Sequence, residues 1–261
     1  MTHYVQSVSG GIASAASAIL GYQRGLSQSL VFADTTQEES DLYRFANEVA
    51  EQCKQPLIIL RDGRDPWDVF VDEKYIGNSR IAPCSKHLKT KQVRRWLKTN
   101  APDATLVLGM YRDEEDRLER AAKGWAPIPV ISLLIEHHIF PGDARDIIER
   151  CGIRTPELYD NGFPHDNCGG ACVRAGQGQW ATLLERFPER YAHHEARMNW
   201  AMEQIGETAK PFLKITRNGV SEYLTLTQFR EQVQAGTLKP KMYEMGGCGC
   251  FVDDLISRMA A

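Results

Sequence analysis

The stretch SGGIAS, from Ser9 to Ser14, decides the fold because it joins a predicted strand to a predicted helix. Tyr4 to Val8 is typical of a buried strand, and the alanine-rich segment from Ser14 to Tyr22 is typical of a helix. Glycines let backbone N–H groups approach an anion closely, and the helix adds the positive end of its dipole. This stretch, called the phosphate loop below, therefore predicts a site for phosphate.

Strands and helices continue to alternate through the first half of the chain. Further strands are predicted at 29–33, 57–60 and 105–108, and further helices at 40–54, 91–99 and 113–123. Such alternation predicts a parallel sheet covered by helices on both faces. Ligands of these sheets bind beyond the carboxyl ends of the strands. We therefore expect an α/β, Rossmann-like nucleotide-binding domain, with the loops after three of its strands converging on one edge.

The character of the chain changes in the second half. Residues 162–178 are rich in glycine, asparagine and cysteine, and helices are predicted at 143–150, 180–187 and 189–205. We expect two parts: a nucleotide-binding domain at 1–150, and a mostly helical, cysteine-containing region at 151–261 that packs on it.

Composition favours a cytoplasmic protein without a membrane span. No apolar run reaches the roughly 20 residues that a membrane helix needs. The net charge of −3 argues against electrostatic binding of nucleic acid by the protein surface as a whole. The basic residues between Lys86 and Lys98 leave two interpretations open: a local phosphate-facing site or a solvated helix face.

Three further segments complete a pattern with the phosphate loop. They are ADTT at 33–36, PCSKHLK at 83–89 and GMYRDEE at 109–115, and GIRTPELYDNGF at 152–163 follows them. In this order they resemble the PP-loop, or adenine nucleotide α-hydrolase, superfamily, in its phosphoadenosine phosphosulfate reductase-like branch. The resemblance implies a sheet of the HUP type. The chain departs from the superfamily's SGGxDS signature at Ala13, which stands where the aspartate is found.

The resemblance implies that the ligand is ATP or phosphoadenosine phosphosulfate, with Mg²⁺. The expected binding residues are Ser9, Gly10, Gly11, Ser14, Asp34, Thr35, Thr36, Lys86, Lys89, Gly109 and Arg112. Asp34 suits hydrogen bonds from the ribose or the adenine amino group, although it also suits the N-cap of the next helix. A side chain at Gly10 is expected to fill the space that a phosphate needs.

Cysteines provide the second signal. Cys168 and Cys172 are spaced C-x3-C, Cys248 and Cys250 are spaced C-x-C, and both pairs lie in glycine-rich segments. Four thiolates suit Zn²⁺ or an iron–sulfur cluster, with Cys84 as a fifth candidate. The resemblance favours iron, and free thiols remain the alternative.

Three functions fit these observations. The first is an enzyme that adenylates an acceptor, converting ATP to AMP and pyrophosphate, so that a sulfur donor protein can deliver sulfur; the retained serines and glycines of the loop favour it. The second is a sulfonucleotide reductase that uses Cys250 or Cys248 beside Arg112, with a thiol reductant; Ala13 and the ADTT and PCSKHLK segments favour it. The third is a non-catalytic nucleotide-binding subunit of a nucleic-acid modification system.

Overall fold

A parallel sheet forms the centre of the first half of the molecule. The computed structural model describes residues 2–217, 219–247 and 250–251. The sheet strands are β1 (Tyr4–Ser7), β2 (Gln28–Asp34), β3 (Leu57–Arg61), β4 (Thr105–Val107) and β5 (Val130–Ile131). They pair in the order β3-β2-β1-β4-β5, and every pair is parallel. The predicted α/β fold class is confirmed.

Helices connect the strands and cover both faces of the sheet. They are α1 (Ile12–Gln23), α2 (Ser40–Gln52), α3 (Pro66–Asp72), a π-helix (Ser85–Thr90), α4 (Lys91–Asn100), a 3-10 turn (Arg112–Glu114), α5 (Glu115–Trp125) and α6 (Leu133–Glu136). In α1, Ala15, Ala16 and Ala18 are fully buried. These small side chains let α1 lie close to the sheet and to the helices on its other side.

The second half is mostly helical. It contains α7 (Pro141–Arg150), α8 (Glu157–Asp160), a 3-10 turn (Cys168–Gly170), α9 (Gln177–Arg186), α10 (Pro188–Ile205), a 3-10 turn (Gly206–Thr208) and α11 (Leu226–Gln234). An antiparallel hairpin, β6 (Leu213–Arg217) and β7 (Val220–Leu224), precedes α11. The described helices include none that is long and apolar enough to span a membrane.

Two of the three hydrophobic cores among the described residues show how these parts pack together. α1 packs against α7, so the first helix of the second half covers the first helix of the chain. Trp67 and Phe70 of α3 join Trp180, Tyr191 and Phe229 in the other core. Side chains from both sides of residue 150 share these cores, and the division near that residue stays a prediction.

Short elements were not predicted from the sequence. β5 has two residues and α3 has seven, which is too short for a periodic signal. α3 is nevertheless encoded locally: the Asp65 side chain accepts a hydrogen bond from the Asp68 N–H, the Asp68 side chain accepts one from the Asp65 N–H, and Pro66 occupies the first turn.

Candidate functional site

A cleft of about 700 Å³ lies at the carboxyl ends of β1 and β4. These two strands are neighbours in the sheet, although β2 and β3 separate them in the chain. The direction in which strands are added reverses between them, and ligands of open α/β sheets bind at this switch point. The phosphate loop forms one wall, and residues 108–111, 113 and 114, after β4, form the wall opposite. The volume suits a nucleotide.

The phosphate loop is held by its own hydroxyl groups. The Ser9 N–H donates to Ser14 Oγ at 3.0 Å, and the Ser14 hydroxyl donates to the Gly11 carbonyl at 2.9 Å. Gly11 is the N-cap of α1 and has no side chain that could accept from the first N–H groups of the helix. The Ile12 N–H lies 3.3 Å from the Tyr159 hydroxyl. The loop therefore presents helix-terminal N–H groups at the cleft, where an anion is favoured.

Two glycines shape this wall in different ways. A Cβ atom on Gly109 would lie 2.5 Å from the backbone nitrogen of Ser14, so only glycine lets the loop after β4 lie against α1. A Cβ atom on Gly10 would lie 2.5 Å from the Leu42 side chain, and Gly10 has a φ of +85°. The expectation for Gly10 is therefore wrong: Leu42, rather than a phosphate, occupies the adjacent space. A side chain at Gly10 would strain the fold itself.

Three basic side chains line the cleft: Lys89, Arg117 and Arg145. Lys89 is buried, and its Nζ lies 3.7 Å from Glu38 Oε1. Arg117 forms an ion pair with Glu114 and donates to the Cys250 carbonyl at 3.4 Å. This concentration of positive charge beside the phosphate loop suits a ligand with several anionic oxygens.

Glu38 links Lys89 to the cysteine-rich segment. Its carboxylate accepts from the Thr35 hydroxyl at 2.9 Å and from the Cys168 N–H at 2.6 Å. Burial raises the pKa of Glu38, and Lys89 opposes that rise. The loop after β2 therefore connects the cleft to the first cysteine pair through one buried carboxylate.

Asp34 lies outside the cleft. It is buried at the end of β2, where it accepts from the Thr36 N–H at 2.8 Å, the Tyr43 hydroxyl at 2.8 Å and Arg61 Nε at 2.7 Å. It is not the N-cap of α2, which is Glu39. These hydrogen bonds explain the buried Asp34 as a structural residue at the start of the loop after β2.

The structure brings together only some of the predicted binding residues. The cleft is lined by Ser9, Gly11, Ser14, Lys89, Gly109 and Cys250. Its lining does not include Gly10, Asp34, Thr35, Thr36, Lys86 or Arg112. Arg112 instead pairs with Glu115 at 3.2 Å and contacts His138. The interpretation of 86–98 as a wholly solvated face is wrong for Lys89, which is buried.

Residues 3–127 match the family model described as the phosphoadenosine phosphosulfate reductase domain. Residues 3–127 are called the reductase domain below, after the model that they match. This match confirms the resemblance that was read from the sequence. The reductase domain holds the phosphate loop, Lys89, Gly109 and Arg117, whereas Arg145 and the cysteine pairs lie beyond it.

A solved structure also resembles the chain. It is a phosphoadenylyl-sulfate reductase from Candida auris in a phosphate complex, with 16% sequence identity and a TM-score of 0.46. The match covers 62% of this chain and 79% of that one. No curated protein sequence matches the chain.

Thiols gather beside the reductase domain. Burial, and after it the neighbouring Cys172 thiol, raise the pKa of Cys84 to about 12. Burial, and after it the Glu38 carboxylate, raise the pKa of Cys168 well above its usual range. Cys172 and Cys250 border one small cavity. Cys248 lies outside the described residues. Among the residues that are described, no three His, Cys, Asp or Glu side chains are arranged to hold a metal ion.

The described part of the tail that carries Cys250 is anchored at two places. The Gly178 N–H donates to the Glu244 carbonyl at 3.0 Å, and a Cβ atom on Gly246 would lie 2.7 Å from Ala175 Cα. At the other end, Trp125 Nε1 donates to the Phe251 carbonyl at 3.1 Å, and the Phe251 ring packs on Trp125. The contact between Phe251 and Trp125 thus holds the residue next to Cys250 against the reductase domain.

Sequence reasoning missed several residues that line the cleft. They are Arg145, Tyr159, His165, Asp166 and Asn167. Asp166 is fully buried, and neither carboxylate oxygen has a hydrogen-bond partner among the described residues. Burial, and after it Glu39, raise the pKa of Asp166 to about 8. Single residues in a loop and on a helix carry no local signal, so only the packing of α7 and of residues 159–167 reveals them.

Proposed function

We propose that this chain is an adenine sulfonucleotide reductase. The observation that carries the proposal is that Cys250 lines the same cleft as the phosphate loop and the basic side chains. The reductase domain at 3–127 supports this reaction over adenylation of an acceptor. Ala13 supports it as well, because the aspartate of the SGGxDS signature is missing.

Binding uses the two walls of the cleft. The phosphate loop receives one anionic group of the 5′ chain through backbone N–H groups at the start of α1. Lys89 and Arg117 neutralise the remaining anionic oxygens. Arg117 also bonds the carbonyl of Cys250, which fixes the thiol-bearing residue relative to the ligand. The nucleotide therefore lies with its sulfonate near the tail.

The thiolate of Cys250 then attacks the sulfur of the sulfonucleotide. An Sγ–S bond forms while the S–O bond to the nucleotide phosphate breaks, and the nucleotide leaves with the electron pair. A dithiol reductant attacks Sγ of the resulting S-sulfocysteine, and sulfite leaves with the electrons of the S–S bond. The second thiol of the reductant releases Cys250, and the reductant becomes a disulfide.

The test incubates the protein, prepared without oxygen and supplied with a dithiol, with a sulfonucleotide in one reaction and with ATP in another. We expect phosphoadenosine phosphosulfate or adenosine phosphosulfate to yield sulfite and the desulfonated nucleotide in equal amounts, while ATP stays intact. Chromatography of the nucleotides and a sulfite assay measure this. Formation of AMP and pyrophosphate from ATP in the presence of an acceptor, without sulfite release, would replace the reductase with the adenylating enzyme. Mg²⁺ is expected to be dispensable for the thiol attack.

We also propose an iron–sulfur cluster beside the cleft, held by Cys84, Cys168, Cys172 and Cys248. The first three thiols lie close enough for their charges to interact, and Gly246 and Gly247, which precede Cys248 in the sequence, border the same small cavity as Cys172. A cluster would replace the thiol protons and supply a redox-active group. Iron and acid-labile sulfide should be present in anaerobically prepared protein, lost in Cys168→Ser and kept in Cys53→Ser. The cluster would be excluded if anaerobically prepared wild-type protein contained no metal and were only as stable as Cys168→Ser.

A further inference from the structure

Positive charge is concentrated in one segment of the chain. Residues 74–102 contain eight lysine and arginine residues and no aspartate or glutamate, although the chain as a whole has a net charge of −3. Of these eight cations, Lys89 lines the cleft, whereas four belong to α4, which contributes no residue to the cleft lining. The site described above therefore leaves most of this charge without a role.

The solvent-facing side of α4 is basic. Lys91, Arg95 and Lys98 are exposed, and their spacing of four and three residues places them along one face of the helix. Within the part of the chain that the structure describes, no carboxylate lies within ion-pair distance of these three cations. The Lys91 ammonium contacts the His87 ring at 3.3 Å. These three exposed side chains are called the basic face below.

The basic face destabilises the helix that carries it. Lys91 and Arg95, at i and i+4, repel each other, and so do Arg95 and Lys98, at i and i+3. Elsewhere on the surface such charges are offset within the helix, as by the pair of Arg44 and Glu48 in α2. α4 contains no acidic residue that could do this. An anion from outside the chain would offset the repulsion.

We propose that the basic face of α4 binds the phosphate backbone of a nucleic acid. From Lys91 to Lys98 the helix rises about 10 Å, at about 1.5 Å per residue. One strand of duplex DNA presents a phosphate about every 3.4 Å along the helix axis, so three cations over this length match about three phosphates. None of the three residues lines the cleft, so the inference does not rest on the proposed function.

A nucleic acid fits this face better than an acidic protein or an anionic membrane does. The core of a protein–protein interface is apolar, and none of the exposed large apolar side chains in the described ranges lies on α4. A basic helix that binds a membrane inserts its apolar face, but Val93 and Leu97 of α4 are buried in the core against the sheet. Interfaces with nucleic acids are polar and strongly positive, as this face is.

The test measures binding of three labelled nucleic acids by fluorescence anisotropy over a range of salt concentrations: a DNA duplex, a DNA single strand and an RNA hairpin. The test variant carries Lys91→Gln, Arg95→Gln and Lys98→Gln. The matched control lowers the net charge by the same amount, at two lysines and one arginine that are exposed outside α4 and do not line the cleft. Its substitutions are Arg150→Gln, Lys210→Gln and Lys239→Gln.

We expect wild type to bind at least one of these nucleic acids at low salt, and the test variant to bind it roughly tenfold to a hundredfold more weakly. For the duplex, the slope of log K against log salt should become shallower by about 0.9 for each phosphate contact that is lost. The control should match wild type. The test variant should melt at the same temperature as wild type or higher, because the repulsion within α4 is relieved. Its sulfite release should be unchanged.

The inference is overturned if wild type binds none of the three nucleic acids, if the test variant keeps wild-type affinity, or if the control loses as much affinity as the test variant. Tighter binding of wild type to vesicles with anionic lipid, or to polyglutamate, than to every nucleic acid would also overturn it, in favour of a membrane or an acidic protein. In each of these cases the proposed function stands, because the sulfite assay tests it separately.

Discussion

Replacing Cys250 with serine is expected to lower sulfite release by about a thousandfold or more, because a neutral hydroxyl replaces the attacking thiolate. Serine keeps the shape of the side chain, so the bonds of the tail at Arg117 and Trp125 remain available. Binding of the nucleotide should therefore stay within about twofold, since the variant loses no charged contact to the ligand. A sulfite assay at saturating sulfonucleotide and calorimetry with the product nucleotide measure the two quantities.

Cys151→Ser is the matched control for this experiment. Cys151 is partly buried, packs in the core around α1 and α7, and does not line the cleft. Its substitution should leave turnover unchanged. Retained turnover in Cys250→Ser, together with loss in Cys248→Ser, would move the attacking thiol to the other tail cysteine. Retained turnover in both variants would contradict a tail thiol altogether.

The fold and one wall of the site could be predicted from the sequence because their signals are local. The phosphate loop, Gly109 and Lys89 each lie within a few residues of a strand end or in a recognisable segment. Parallel strands place their carboxyl ends at one edge, so a cleft there followed from the order of elements. The same argument predicts that the loop after β4, which contains Gly109, lies at this edge and forms a wall of the cleft.

Asp34 shows where this reasoning failed. The loop after β2 was expected to join the site, but the cleft lies between β1 and β4, one strand further along the sheet. Neighbouring strands lie about 4.8 Å apart, which is enough to remove a short carboxylate from the ligand. Tyr43 and Arg61 satisfy Asp34 instead. Which strand pair opens into a cleft depends on strand order, and that order is not encoded in any one segment.

Arg145 and Asp166 could not be predicted for a related reason. α7 reaches the cleft only because it packs against α1, more than a hundred residues earlier in the chain. The cysteine pairs were a partial success, since Cys172 and Cys250 do border one cavity. The described contacts that join their segments include close backbone contacts at Gly178 and Gly246, and a hydrogen bond from Gln177 Nε2 to the Glu244 carboxylate. Glycine permits the close approach of two backbones, but a glycine in the sequence does not indicate which segment will pack against it.

Gly109→Ala is expected to damage both the fold and the site. The added methyl group would lie 2.5 Å from the backbone nitrogen of Ser14, 2.6 Å from its Cα and 2.7 Å from the carbonyl carbon of Ala13. These are backbone atoms at the start of α1, so no side-chain rotation relieves the contact. The loop after β4 and the phosphate loop must therefore move apart. Overpacking of this kind costs about 3 kcal/mol, which corresponds to roughly 6–12 °C in melting temperature for a chain of this size.

Nucleotide binding should fall by more than the loss of stability explains. The N–H groups of the phosphate loop act together on one anion, so a shift of the whole loop weakens several contacts at once. Gly142→Ala is the matched control: Gly142 also lines the cleft, and a Cβ atom there would meet nothing within 4 Å. Thermal unfolding and calorimetry at a temperature where both variants are folded compare them. We expect Gly142→Ala to behave as wild type, and wild-type affinity in Gly109→Ala would show that the phosphate loop does not depend on its contact with the loop after β4.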